Sequence, residues 1–303
     1  MTDYKTLLTA TDFSPLAAVA HQAAMDLAKA VGSKRIHFEH VVQTGGSSSG
    51  LAYPFADWEI ERIFEQGLAE AKRNLDAIKV DLPGVEVTRH ARLGVLGREL
   101  AKAAEEVKAD LVIVASHGYG TFKRTFLGSA ASGLVRASHC PILVVGENRP
   151  AQLPFKRVMA ALDLSPISEK ILAHAVGLTA PGGEVTVLSL YEYPLVSPNE
   201  HDVLPRYISK EEIQRYGEQH AQRIQAIIDK VPHPGVDVKV EVMAKAPASQ
   251  VILDVAQMTN PDLVVIGTSG HSAWHRMMIG STATRVLNEA TRPVLVVPFD
   301  VKS

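Results

Sequence analysis

Residues 261–297 read PDLVVIGTSGHSAWHRMMIGSTATRVLNEATRPVLVV. The run Leu263–Ile266 is short and continuously apolar, the pattern of a strand buried on both faces of a parallel sheet. It ends on Gly267. Two residues separate Gly267 from Gly270, and nine more lead to Gly280 and Ser281. A helical stretch opens at Ser281-Thr282-Ala283-Thr284, and VLVV at 294–297 supplies the next strand. Strand, glycine-bounded loop, helix and strand in that order predict an α/β fold with helices covering both faces of the sheet.

The same text occurs earlier in the chain. ADLVIVASHG at 109–118 matches PDLVVIGTSG at 261–270, and LGSAASGLVRASHCPILVV at 127–145 matches IGSTATRVLNEATRPVLVV at 279–297, both at an offset of 152. TATDFSP at 9–15 matches AALDLSP at 160–166 at an offset of 151. Three blocks in one order at nearly one offset mean a duplicated domain, since the period is far too long for a solenoid. The seam falls in ENRPAQLP at 147–154, a stiff polar linker, which sets the expected domains at 1–148 and 155–303.

Within the first half the periodicities predict strands over Lys5–Thr11, Arg35–Val42, Val85–Ala91, Leu111–Ala115 and Ile142–Val145. Helices are expected over Pro15–Val31, Asp57–Val80, Leu96–Lys108 and Ser129–Ala137, the first opened by a Ser14 cap and a proline. The second half repeats the order, with Ile213, Tyr216, Ile224 and Ile227 marking its long helix. The expected architecture is two tandem, doubly wound, parallel five-stranded sheets with right-handed crossovers. Ligands on such sheets sit beyond the carboxyl ends of the strands, where strand order reverses.

Composition sets outer limits. The 303 residues are 46% hydrophobic and 21% charged, with a net charge of −2, so no broad electrostatic surface for nucleic acid is expected. No apolar run approaches the ~18 residues of a membrane span, and the first residues, MTDYKTLLTATDFSP, lack the pattern of a signal peptide. The single cysteine, Cys140, excludes an internal disulfide and reads as a small core residue. A cytoplasmic protein is expected.

The glycines carry the chemistry. Glycine lets a backbone approach a ligand closely and tolerates positive φ. A helix N-terminus offers unpaired amides and a partial positive charge to an anion. Amides of Gly270, Gly280 and Ser281 are therefore expected to converge on one hollow that takes an anionic chain, with Ser281 and Thr282 hydroxyls and His275 and Arg276 beside it.

The spacing G-x2-G-x9-G-(S/T), preceded by DLVVIG and followed by a PVLVV strand, together with Asp-x-Ser-Pro after the first strand, resembles the universal stress protein family over nearly the whole chain, twice. The resemblance implies a three-layer αβα fold of the adenine-nucleotide-hydrolase-like or flavodoxin-like kind, and binding of ATP, or of ADP or AMP, with or without magnesium. It places Asp163 at the adenine end of half two, with the backbone around Leu190 helping to enclose the base, and puts Gly267, Gly270, Gly280 and Ser281 on ribose and phosphates. It counts Ala161, Leu162, Ile266, Ser269, Arg276, Thr282 and Ala283 among the nucleotide-binding residues. In half one the matching positions are Ala10, Thr11, Asp12, Val41, Val114, Ala115, His117, Gly118, Gly128, Ser129 and Ala130, with Lys123 and Arg124 in the loop.

Half one departs at Ala115, which replaces the first glycine. If that position needs positive φ, the methyl costs ~1–2 kcal/mol; if it needs only space, the methyl crowds the ribose. Half two is therefore expected to bind more tightly. Asp12 and Asp163 also read as helix caps. His37 and Glu39 share one face of their strand and His40 the other, which argues against a metal site. No catalytic residue and no metal ligand is assigned. Three functions stay open: a nucleotide-binding regulatory protein, a slow ATPase or phosphoryl- or adenylyl-transfer enzyme, and a nucleotide-free interaction module. The resemblance also implies pairing of the two halves through their last strands as an internal pseudo-dimer. Whether two such chains then join into a homodimer is open. A protein partner of unknown identity is expected. The loops 43–56 and 191–208, unlike each other, are candidate sites for partner- or ligand-specific contacts, and GGSSSG at 45–50 reads as a flexible stretch of the first.

Overall fold

A computed structural model describes residues 2–44, 57–116, 129–148, 153–193, 208–244, 247–268 and 279–299. The first half runs β1 (Thr6–Ala10), α1 (Pro15–Val31), β2 (Arg35–Gln43), α2 (Asp57–Asp76), β3 (Glu86–Gly94), α3 (Leu96–Glu106), β4 (Leu111–Ala115), α4 (Ser129–Ala137) and β5 (Ile142–Val145). The second runs β6 (Phe155–Leu162), α5 (Ser168–Gly177), β7 (Thr179–Tyr191), α6 (Lys210–Ile228), β8 (Asp237–Ala244), α7 (Ala248–Thr259), β9 (Leu263–Gly267), α8 (Ser281–Glu289) and β10 (Val294–Val297). The long helix of half one stops at Asp76 rather than Val80. Its last turn tightens, with the Ile78 amide bonding the Leu75 carbonyl at 3.1 Å, and Leu82-Pro83-Gly84 then turns the chain.

Each half has the expected parallel order, and the two join into one sheet, β3-β2-β1-β4-β5-β10-β9-β6-β7-β8. The join is antiparallel, with Val144 opposite Val294 and Ile142 opposite Val296. An antiparallel join of two parallel sheets sends the carboxyl ends of β4 and β9 to opposite edges. The two candidate sites therefore face away from each other.

Strand alternation sorts the core into two layers. Leu7, Leu111, Ile113, Leu263 and Val265 pack under α1, α2, α5 and α6. Leu8, Val112, Val114, Val264 and Ile266 pack under α3, α4, α7 and α8. Both layers run unbroken across the join.

A second tie crosses the halves. The Thr2 hydroxyl donates to the Ala173 carbonyl at 2.9 Å, and the Tyr4 hydroxyl bonds His174 Nδ1 at 2.8 Å, both of the latter side chains buried. Burial pushes His174 down to about 4, and does the same to His21, whose Nε2 has no partner among the described residues. Both are neutral when folded, whereas an unfolded histidine titrates near ~6.5. Their contribution is therefore fully present above pH ~6.5 and is lost as pH falls toward 4, by on the order of 3 kcal/mol each at most. Urea midpoints at pH 7.5 and 4.5 should show this loss, and His21→Leu should flatten it.

Candidate functional site

The two Asp-x-Ser-Pro turns have one geometry. The Ser14 amide donates to Asp12 Oδ1 and the Ser165 amide to Asp163 Oδ1, each at 3.0 Å. The residue between them takes a left-handed conformation in both halves, Phe13 at φ 62° and Leu164 at φ 61°. That conformation costs a bulky residue about 1–2 kcal/mol. Its recurrence 151 residues apart shows a turn imposed by the surrounding bonds. The aspartates are not the helix caps: Ser14 caps α1 by accepting from the Ala17 amide, and the aspartate closes the turn before it. The carbonyl just before each aspartate is also held. His40 Nδ1 bonds the Thr11 carbonyl at 2.7 Å, and the Ser189 hydroxyl donates to the Leu162 carbonyl at 2.6 Å.

Across the switch point stands the glycine segment. Pairing of Ala160 with Val265 continues to set Leu162, at the end of β6, beside Gly267, at the end of β9. In half one Thr9 pairs with Ile113, which sets Thr11 beside Ala115. Asp163 and Gly267 thus share one sheet edge, as do Asp12 and Ala115. Ile266 and Val114 are buried beneath these ends, Ala10 ends β1 and Ala161 is the next-to-last residue of β6, and Val41 and Leu190 lie on the adjacent strand. Gly267 is a strand residue paired with Val297 and is not at positive φ, so Ala115, paired with Val145, carries no backbone penalty. Only space separates them.

Thr268 closes the neck of the following loop. Its carbonyl accepts from the Gly280 amide at 2.7 Å, its amide donates to Val297, and its hydroxyl accepts from the Phe299 amide at 3.1 Å. The Gly280 amide is therefore spent inside the protein, and the expectation that it faces an anion is corrected. What Gly280 provides is a cap with no side chain: it opens α8 at φ −60°, ψ 152° without a capping side-chain bond. The amides of Ser281, Thr282 and Ala283 are the first of the helix, the positions that lack an intrahelical partner, and among the described residues they bond no carbonyl. No acidic residue lies in that turn, so its partial positive charge is uncompensated from within. α4 likewise begins at Ser129, followed by Ala130, with no acidic residue in its first turn. Ser269, Gly270, His271, His275 and Arg276, and His117, Gly118, Lys123, Arg124 and Gly128, lie outside the described residues, as do 45–56 and 194–207 of the two long loops.

Sequence reading missed a buried charge network. Glu39 is fully buried and bonds His37 Nε2 at 2.8 Å and Arg92 Nε at 2.9 Å, with His90 Nδ1 at 3.3 Å. Arg92 extends to Glu106 on α3 at 2.9 Å. Strand alternation placed His37 with Glu39; the register that brings Arg92 across from β3 is not written locally. Among the described residues no group of three or more metal-type ligands is assembled. Cys140 is partly buried, its thiol bonding the Ala109 carbonyl, and burial pushes it up to about 12, so it stays a thiol.

Residues 3–146 and 154–298 each match the universal stress protein family. The chain belongs to that family. A universal stress protein of Mycolicibacterium smegmatis is 29% identical over 216 residues, covering 71% of this chain and 69% of that one. One of Mycobacterium tuberculosis is 30% identical over 192 residues, covering 62% of each chain, so the match spans less than two thirds of that relative. In fold, the chain is similar to a universal stress protein from Archaeoglobus fulgidus, with a TM-score of 0.65 at 20% identity, covering 100% of this chain and 99% of that one. It is also similar to a functionally unknown protein from Pseudomonas aeruginosa, with a TM-score of 0.61 at 16% identity, covering 98% and 93%. Among the described residues no helix is long and apolar enough to cross a membrane.

Proposed function

We propose that this universal stress protein binds an adenine nucleotide at the carboxyl edge of each half, as a regulatory protein of the cytoplasm whose glycine-bounded loops respond to occupancy. The supporting observation is the pairing, on one edge, of an uncapped helix N-terminus at Ser281–Ala283 with the Asp163 turn across the β6/β9 switch point. The first suits a polyphosphate. The second offers a carboxylate and backbone polar groups to a base or ribose. On this reading magnesium accompanies ATP as a phosphate counterion. Single-turnover assays with labelled ATP distinguish binding from slow hydrolysis: turnover far above background, lost in Gly280 variants, would favour an enzyme.

The reading makes half two the tighter site, because Ala115 sets a methyl where Gly267 has none. Crowding worth about 1.4 kcal/mol is tenfold in affinity. Titration calorimetry of the full chain with ATP should resolve two classes of site. Gly267→Ala should weaken the tighter class about tenfold, and Ala115→Gly should tighten the weaker one. Equal affinities that neither substitution moves would refute the assignment. Mass analysis of ligand released from the purified, denatured protein identifies the nucleotide.

A further inference from the structure

We propose that Ser189 and His220 form a two-step anchor that positions the Asp163 turn, and that they are positioning residues for the base end of the half-two site; this rests on the nucleotide reading above. The chemistry fixes the direction of each bond. The Leu162 carbonyl has no proton to give, so the 2.6 Å contact takes the only hydroxyl proton of Ser189. The 2.8 Å contact between Ser189 Oγ and His220 Nε2 then requires the ring to donate, which places a proton on Nε2. Burial, with the nearby Arg223 guanidinium, pushes His220 below its ordinary value, in keeping with a neutral ring carrying that single proton.

Half one reaches the same end directly. His40 stands on β2 at the position of Ser189 on β7, and its Nδ1 donates straight to the Thr11 carbonyl, with Phe13 stacked on the ring at 4.6 Å. Half two has a serine there, too short to offer an imidazole, and α6 supplies the ring through the serine hydroxyl. Tyr191 lies against the same ring at 6.0 Å and packs on Gly217 of α6, which fixes the helix at that height. In half one an imidazole N–H reaches the carbonyl itself; in half two the Ser189 O–H reaches it and the imidazole N–H holds the serine. In both cases the next two residues are the aspartate and a bulky residue held at positive φ. The common element is restraint of a strained turn, and α6 is the lever on it in half two.

The test uses the full chain, labelled for amide-resolved exchange. In His220→Leu and in Ser189→Ala, the Ser165 amide, bonded to Asp163 Oδ1, should exchange about tenfold faster. The Ser14 amide of half one should not change. His220→Gln, whose side-chain amide reaches the Nε2 position, should restore protection. His220→Leu should weaken AMP at the tighter site about tenfold, leave inorganic tripolyphosphate binding unchanged, and be rescued by glutamine. Unchanged Ser165 exchange in both variants, or equal acceleration at Ser14, would overturn the anchor. Faster Ser165 exchange with unaltered AMP affinity would overturn its link to the base. Absence of AMP and ATP binding in the unsubstituted protein would instead sink the nucleotide reading, while the exchange data would still decide whether the anchor exists.

Discussion

Replacing Glu39 with leucine should cost about 3 kcal/mol or more of stability, and replacing Arg92 with methionine in the same chain should return most of it. Glu39 has no exposed surface and holds Arg92, His37 and His90. Removing one partner of a buried ion pair leaves the other desolvated and uncompensated, a loss of ~3–5 kcal/mol. Arg92 retains Glu106 and some exposure, which sets the expectation at the lower end. Half two contains the control. The strand positions of Glu39 and Arg92 correspond there to Leu188 and Met243, and Leu188 is buried among apolar side chains. The double substitution installs the arrangement its own duplicate uses, and apolar replacement of a whole buried pair is commonly neutral or stabilising. Denaturant midpoints of the two variants measure both effects. A double variant no more stable than the single would show that the network does something the leucine–methionine pair cannot.

The second large effect is expected at Gly97, where α3 crosses α4. A Cβ there would lie 2.4 Å from the Gly133 carbonyl carbon and 2.6 Å from its Cα, backbone against backbone. Helix propensity favours alanine over glycine by about 1 kcal/mol. Overpacking of this kind costs ~1–3 kcal/mol, occasionally more, and neither helix has a flexible side-chain end there to yield. Overlap should win: Gly97→Ala is expected to lose about 2 kcal/mol, and Gly97→Val more. Gly67→Ala in α2 is the contrast, since its Cβ would meet only the Val42 side chain at 3.1 Å, and its net effect should be close to zero. The consequence reaches the site, because pushing α4 outward displaces its N-terminus at Ser129, the counterpart of Ser281. Half two has Ser249 and Arg285 at the corresponding positions and joins α7 to α8 through Arg285 and Gln250 instead.

What the sequence disclosed was what its periodicities and spacings encode locally. The duplicated blocks announced two domains, apolar runs announced buried strands, and Ser14-Pro15 announced the start of α1 where it occurs. The family resemblance supplied the pairing of the last strands, and the structure adds that this pairing makes a single sheet with two opposed site edges. The misjudged features depend on contacts between distant residues. The Gly280 amide looks free from its spacing, yet the returning loop brings it to Thr268. Tyr4 meets His174 across 170 positions, and no local pattern marks either as half of a pair. The histidine that anchors the first turn is visible on its strand as His40; the one that anchors the second comes from another element and announces itself only through Ser189.

The central claim is that the first amides of α8 and the Asp163 turn face one nucleotide. Amide-resolved titration of the full chain with ATP tests it most directly. The account predicts that Ser281, Thr282, Ala283 and Ser165 shift together along one saturating curve, and that tripolyphosphate moves the first three alone. Saturating ATP that leaves Ser281–Ala283 where they were would contradict it.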